Sequence, residues 1–119
     1  AYFSFQHTPY INPNGDLMLF DNGLYEMQSG ALAFKLDEKN LTAATTLKVK
    51  LPKDKYTSRM GSAYLMPNGN LLQCSSKTGS ILITDQSGKV LWESRMAYAP
   101  YRALYVSADL FKNYFTEIK

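Results

Sequence analysis

One run of residues occurs twice in this chain. Tyr10-Ile11-Asn12-Pro13-Asn14-Gly15-Asp16-Leu17-Met18 returns as Tyr64-Leu65-Met66-Pro67-Asn68-Gly69-Asn70-Leu71-Leu72, with Tyr, Pro, Asn, Gly and Leu at matched places. A chain that repeats itself builds the same local unit twice and stacks the copies, because one supersecondary unit cannot bury its apolar face alone. Each copy carries an Asn-Gly pair, Asn14-Gly15 and Asn68-Gly69. That pair predicts a hairpin through a type I′ turn, whose two central residues need φ > 0. The flanks Tyr10-Ile11 and Leu17-Met18-Leu19-Phe20 suit a pleated, buried surface. Asp21-Asn22-Gly23 then ends the second strand with residues that tolerate left-handed backbone.

A further pair of strand-like runs follows each copy. In the first unit they are Ala31 to Leu36, a turn at Asp37-Glu38-Lys39-Asn40, and Thr45 to Leu51. In the second they are Ser80 to Asp85, a turn at Gln86-Ser87-Gly88, and Lys89 to Glu93. Helical periodicity is confined to the end, where Ser107 reads as an N-cap and Leu110, Phe111, Tyr114 and Phe115 share one stripe. The predicted class is all-β: two four-stranded antiparallel β-propeller-type blades, about 5–51 and 58–96, the first strand of a third at 101–106, and a short C-terminal helix. Two blades and a fragment do not close a ring, and open blades leave exposed edges and faces. Residues 1–119 therefore read as a single partial propeller domain, a fragment of a larger chain, and the abrupt start in strand-like Ala1-Tyr2-Phe3-Ser4 agrees. Folded alone, the chain is expected to shield its exposed sheet edges by forming a homo-oligomer. An eight-stranded sandwich of two sheets is the alternative architecture.

Composition narrows the function classes. The net charge is +3, and the lysines are scattered. Lys48, Lys50, Lys53 and Lys55 alternate with Val49, Leu51 and Pro52, which suits the solvated face of an outer strand better than a nucleic-acid stripe. Nucleic acid is not an expected partner. No apolar run approaches the roughly 20 residues that span a bilayer, so neither is a membrane. The start of the sequence lacks signal-peptide architecture, which leaves the compartment open. Cys74 is the only cysteine, so neither an internal disulfide nor a zinc cluster is expected, and no metal or cofactor is implied. Cys74 follows Leu71-Leu72-Gln73 and reads as a small buried hydrophobe. Trp92, in Val90-Leu91-Trp92, reads as core between units. Asp16, Asp21, Asp37 and Asp85 read as turn residues rather than a carboxylate pair. Tyr10, Tyr64 and Tyr101 fall at or near the start of innermost strands, where they either stack on an aromatic ligand or anchor the packing. His7, the single histidine, is a strand-end structural residue or part of a site.

The motifs between these strands carry a resemblance. Gln6-His7-Thr8, Asn14-Gly15, Phe20-Asp21-Asn22-Gly23, Phe34-Lys35-Leu36-Asp37-Glu38-Lys39 and Tyr101-Arg102-Ala103-Leu104 stand in the order found in bacterial arylsulfate sulfotransferases. The chain resembles the C-terminal part of that family's catalytic domain, a six-bladed propeller with its site at the central channel. The resemblance implies ping-pong transfer of a sulfuryl group from an aryl sulfate to a phenolic acceptor through a histidine nucleophile. A neutral imidazole avoids the repulsion that sulfate oxygens exert on a phenolate, and nearby donors stabilise charge on the sulfuryl oxygens. By the same comparison His7 and Arg102 are the catalytic candidates, Tyr10 and Tyr101 the ligand-binding ones. The ligand is an aryl sulfate or other small aromatic anion, and the remainder of the parent propeller is a partner. The resemblance also points to a bacterial source and an exported or cell-surface parent. Two departures stand out. The nucleophilic histidine is expected immediately before Tyr101, where this chain has Pro100, and no arginine lies between Asn22 and Ala31. Arg59 and Arg95 lie elsewhere. A propeller that has lost catalysis and serves as a ligand-binding or scaffold module is therefore the second expectation.

Overall fold

Extended backbone sends every second side chain of a strand to the same face, and here the strands are arranged in two four-stranded sheets. The structure is a computed structural model and describes residues 3–115; the opening Ala1-Tyr2 lies outside them. The first sheet is a meander of β1 (His7–Ile11), β2 (Leu17–Asp21), β3 (Gly30–Asp37) and β4 (Thr42–Lys50). The second repeats that order with β5 (Ser62–Leu65), β6 (Leu71–Ser75), β7 (Ser80–Thr84) and β8 (Val90–Arg95). All pairings are antiparallel between consecutive strands.

Both sheets contribute to one core. Met18 and Phe20 from β2, Ala31 and Ala33 from β3, and Val49 from β4 meet Ala63, Leu71 and Leu82 of the second sheet, with Leu51 closing the group. The opposite face of the first sheet carries a smaller cluster, Leu19, Leu32 and Phe34, against which the Phe3 ring lies at 6.0 Å.

The hairpins form where expected but through a different turn. Gly15 N donates to Asn12 O at 2.9 Å, and Asn12 N donates to Asp16 O at 2.9 Å. The turn therefore centres on Pro13-Asn14, and only Gly15, at φ +83°, has left-handed backbone. This is a type I turn followed by a glycine bulge. Proline is held near φ −65°, which fits the second turn position and excludes the positive φ of a type I′ turn. The Asn12 side chain reinforces the loop by accepting from Asn14 N and Asp16 N. Gly69 N to Met66 O and Met66 N to Asn70 O repeat the pattern in the second sheet.

Three further expectations are corrected. Residues 101–106 are not a strand. A strand needs a ladder; of this stretch, Tyr101 O accepts from Gly61 N at 3.3 Å, but Ala103 N meets the Ser62 side chain instead of its backbone. Trp92 is not core: β8 is an outer edge strand, and the indole is 50% exposed. β4 begins at Thr42, where 45 was expected, because Leu36 and Asp37 pair with Ala43 and Thr42. Cys74, by contrast, is buried as expected, and burial pushes its thiol up to about 11. The C-terminal helix α1 (Ala108–Phe115) starts after Ser107, whose Oγ accepts from Leu110 N at 3.2 Å as an N-cap. Among the described residues no helix is long and apolar enough to cross a membrane.

Candidate functional site

His7 opens β1, opposite Phe20. Immediately after it the register slips, with Tyr10 opposite Met18, so β1 holds one extra residue at Thr8-Pro9. Thr8 sits at φ +53° there. Left-handed backbone is strained for a β-branched residue, and such strain survives only where surrounding bonds enforce it. The bond in question is Thr8 Oγ1 donating to Gly61 O at 2.9 Å.

The connection between the sheets supplies the other wall. Met60 (φ +58°) and Gly61 (φ +116°) form a kink just before β5. Met60 N donates to His7 Nε2 at 3.0 Å. A nitrogen that accepts a hydrogen bond carries no proton, so the neutral imidazole has its proton on Nδ1. From the other side, Tyr101 O takes the Gly61 amide and Ala103 pairs with Ser62 Oγ. The kink thus brings His7 and Tyr101-Arg102 to one dipeptide, Met60-Gly61. Glycine is required at its second position. A Cβ on Gly61 would lie 2.4 Å from Phe20 Cε1 and 2.9 Å from Cys74 O.

The four predicted residues are placed differently. Tyr101 is 56% exposed, and the Arg102 guanidinium stands over its ring at 5.0 Å, the geometry of a cation–π contact. Tyr10 is engaged: its hydroxyl accepts from Leu65 N at 2.7 Å and donates to Met18 Sδ at 3.4 Å, and its ring lies 5.0 Å from that of Tyr64. Burial raises the Tyr10 phenol above its ordinary value. Pro100 is buried, and its carbonyl receives the Cys74 thiol at 3.6 Å. Neither of two surface cavities touches His7, Tyr10, Tyr101 or Arg102. One of about 230 Å³ lies on the outer face of the first sheet among Phe3, Leu17, Leu19, Phe34, Leu36 and Ala43, and one of about 50 Å³ near Asp21 and Glu26.

Two groups of residues escaped the sequence reading. Asn22, read as a turn residue, is fully buried and donates from Nδ2 to Thr57 O at 2.7 Å and Met60 O at 2.8 Å. Lys55, read as one of a solvated series, is buried at 4% exposure. Its ammonium donates to Glu93 Oε1, which also accepts from Ser80 Oγ at 2.9 Å and Arg95 Nε at 3.1 Å. The Lys55 hydrogen bond, with those of Ser80 and Arg95 behind it, holds the Glu93 carboxyl down at about 2. Nothing local signals either arrangement, since each partner is distant in sequence.

A family model described as Arylsulfotransferase (ASST) matches residues 1–93. The chain belongs to the arylsulfotransferase family. The match takes in His7, the Phe20-Asp21-Asn22-Gly23 run and the Met60-Gly61 kink, and it ends before Pro100 and Tyr101-Arg102-Ala103-Leu104. No curated protein and no solved structure matches the chain.

Proposed function

We propose that this arylsulfotransferase-family chain contributes an anion-binding corner to an arylsulfotransferase-like propeller, whose ancestral activity is transfer of a sulfuryl group from an aryl sulfate to a phenol. The observation that carries this reading is the state of His7. Its Nε2 is taken by the Met60 amide, which leaves Nδ1–H as the group it can offer. A donor of that kind suits a sulfuryl oxygen and does not suit nucleophilic attack, which needs a free lone pair. Arg102 supplies the cation and Tyr101 an exposed ring for the aryl group. The nucleophile must then come from another part of the parent propeller, since Pro100 has no side-chain lone pair to offer. The same reading assigns the apolar outer face of the first sheet, around Leu19, Leu32 and Phe34, to a neighbouring blade of the longer chain or of a second copy.

Pro100 also supports a second reading, a ligand-binding or scaffold module without catalysis. A calorimetric titration of the chain with 4-nitrophenyl sulfate, a readout that serves equally for a variant lacking the single histidine, tests both. Binding is expected, and His7→Ala should weaken it about tenfold, the effect of losing one hydrogen bond to a charged group. Equal binding by wild type and His7→Ala would remove His7 from the site. Release of 4-nitrophenol that depends on an added phenol would rule out the inactive module.

A further inference from the structure

We infer that Asn22 is a positioning residue for His7, acting through the backbone of Met60. As a statement about sulfuryl recognition, this rests on the anion-binding role proposed for His7. As a statement about coupling between two side chains it stands on geometry alone.

Asn22 ends the second strand at the corner where the first sheet meets the connection, and it is 0% exposed. Its Nδ2 spends both protons on that connection, one on Thr57 O and one on Met60 O. Its Oδ1 is buried and has no hydrogen-bond partner among the described residues. An orphaned buried acceptor is a cost to the folded state, because water satisfied it before folding. An apolar side chain of the same shape would avoid that cost, so the value of asparagine here lies in its two donors. Turning the amide over would set Oδ1 against two carbonyl oxygens, so the two acceptors fix its orientation.

What the donors hold is the strained segment. Met60, a non-glycine at φ +58°, has its carbonyl tied to Asn22 and its amide aimed at His7 Nε2. Thr57 is tied in parallel: its carbonyl also accepts from Ser29 Oγ, and its amide donates to that same Oγ at 3.0 Å. Without Asn22 the Met60 backbone, released at its carbonyl, can relax from its left-handed φ, which turns the Arg59–Met60 peptide that carries the Met60 N–H. Its N–H then leaves the imidazole, and His7 is free to carry its neutral proton on either nitrogen. Charged residues on the adjoining elements include Asp21, whose carboxylate is taken by Ser4 N, Gly23 N and Lys50, the exposed Arg59, Lys55 paired with Glu93, Lys77 on Ser58 Oγ, and Arg102 over the Tyr101 ring.

Because the chain has a single histidine, ring ¹⁵N spectra of the whole chain report His7 without ambiguity. In the wild type the neutral ring should carry its proton on Nδ1, and Nε2 should show the shift of an unprotonated acceptor. In Asn22→Ala the neutral ring should shift toward a mixture of the two tautomers while the second sheet keeps its amide pattern. An Nε2–H ring in the wild type would overturn the inference. So would a folded Asn22→Ala with an unchanged ring. If Asn22→Ala does not fold, Asn22→Ser, which keeps a small polar side chain and loses the two amide donors, decides by the same ring spectrum. Failure of 4-nitrophenyl sulfate to bind would leave this coupling intact and remove only the anion-binding role.

Discussion

Lys55 and Gly61 show how single residues in the connection between the sheets set its shape. Lys55 reaches from that connection to Glu93 on the outer edge strand, so the ion pair ties the link to the far side of the second sheet. Glu93 is held at about 2 in the folded chain against an ordinary 4.5. Its contribution is therefore complete above about pH 4.5, fades as pH falls toward 2, and is absent below both values. Thermal melts between pH 6 and 2.5 should show this acid limb. Glu93→Gln should flatten it and lower stability at neutral pH by about 1–2 kcal/mol, allowing for solvent screening of the partly exposed carboxylate. Gly61→Ala meets both a positive φ and the Phe20 ring, so it should cost more than the ~1 kcal/mol of a backbone effect alone, in the 1–3 kcal/mol range of an overpacked core. A urea midpoint within error of the wild type would contradict the kink geometry.

At the scale of elements, the hairpins share one design with different surroundings. Gly15, Gly69 and Gly88 close equivalent turns at φ +83°, +84° and +89°. Nothing lies within 4 Å of a Cβ placed on Gly15, whereas one on Gly88 would stand 2.7 Å from Lys50 O. Alanine at 15 should thus cost about 1 kcal/mol, the conformational effect alone. Alanine at 88 should cost clearly more, because the obstacle is backbone. Urea unfolding of the two variants side by side measures the difference. The bulge in β1 has another role: the inserted residue turns the strand so that Thr8 meets Gly61 O.

For the whole molecule, the decisive feature is that a single core joins both sheets. Phe20 and Leu82 lie in the same cluster although one belongs to each sheet. Phe20→Ala should cost about 3–5 kcal/mol. Its loss should be felt in both halves: Trp92 fluorescence, from the far edge of the second sheet, and far-UV circular dichroism should report one coincident transition. Two separated transitions would mean that the sheets are independent units. The outer faces are a different matter. Leu19, Leu32 and Phe34 form a separate buried cluster within the first sheet, and the Phe3 ring lies 6.0 Å from that of Phe34.

The sequence by itself determined whatever depends on neighbours along the chain. The repeat with its Pro-Asn-Gly turns announced two sets of hairpins, the apolar run Leu17-Met18-Leu19-Phe20 marked a buried strand, and Ser107 marked the helix start. Local chemistry also misled where one local signal hid another, as when Asn14-Gly15 suggested a type I′ turn and Pro13 required type I. The motifs around His7 pointed to the family to which the chain belongs. Only the tertiary structure decided what depends on distant partners. It bonded His7 Nε2 to the amide of Met60 and buried Asn22 as a donor to the same residue. It also matched Lys55 to Glu93, and left 101–106 without a ladder. Proton position, ion pairing and strand identity are each set by the group across the gap, and sequence spacing carries no record of which group that will be.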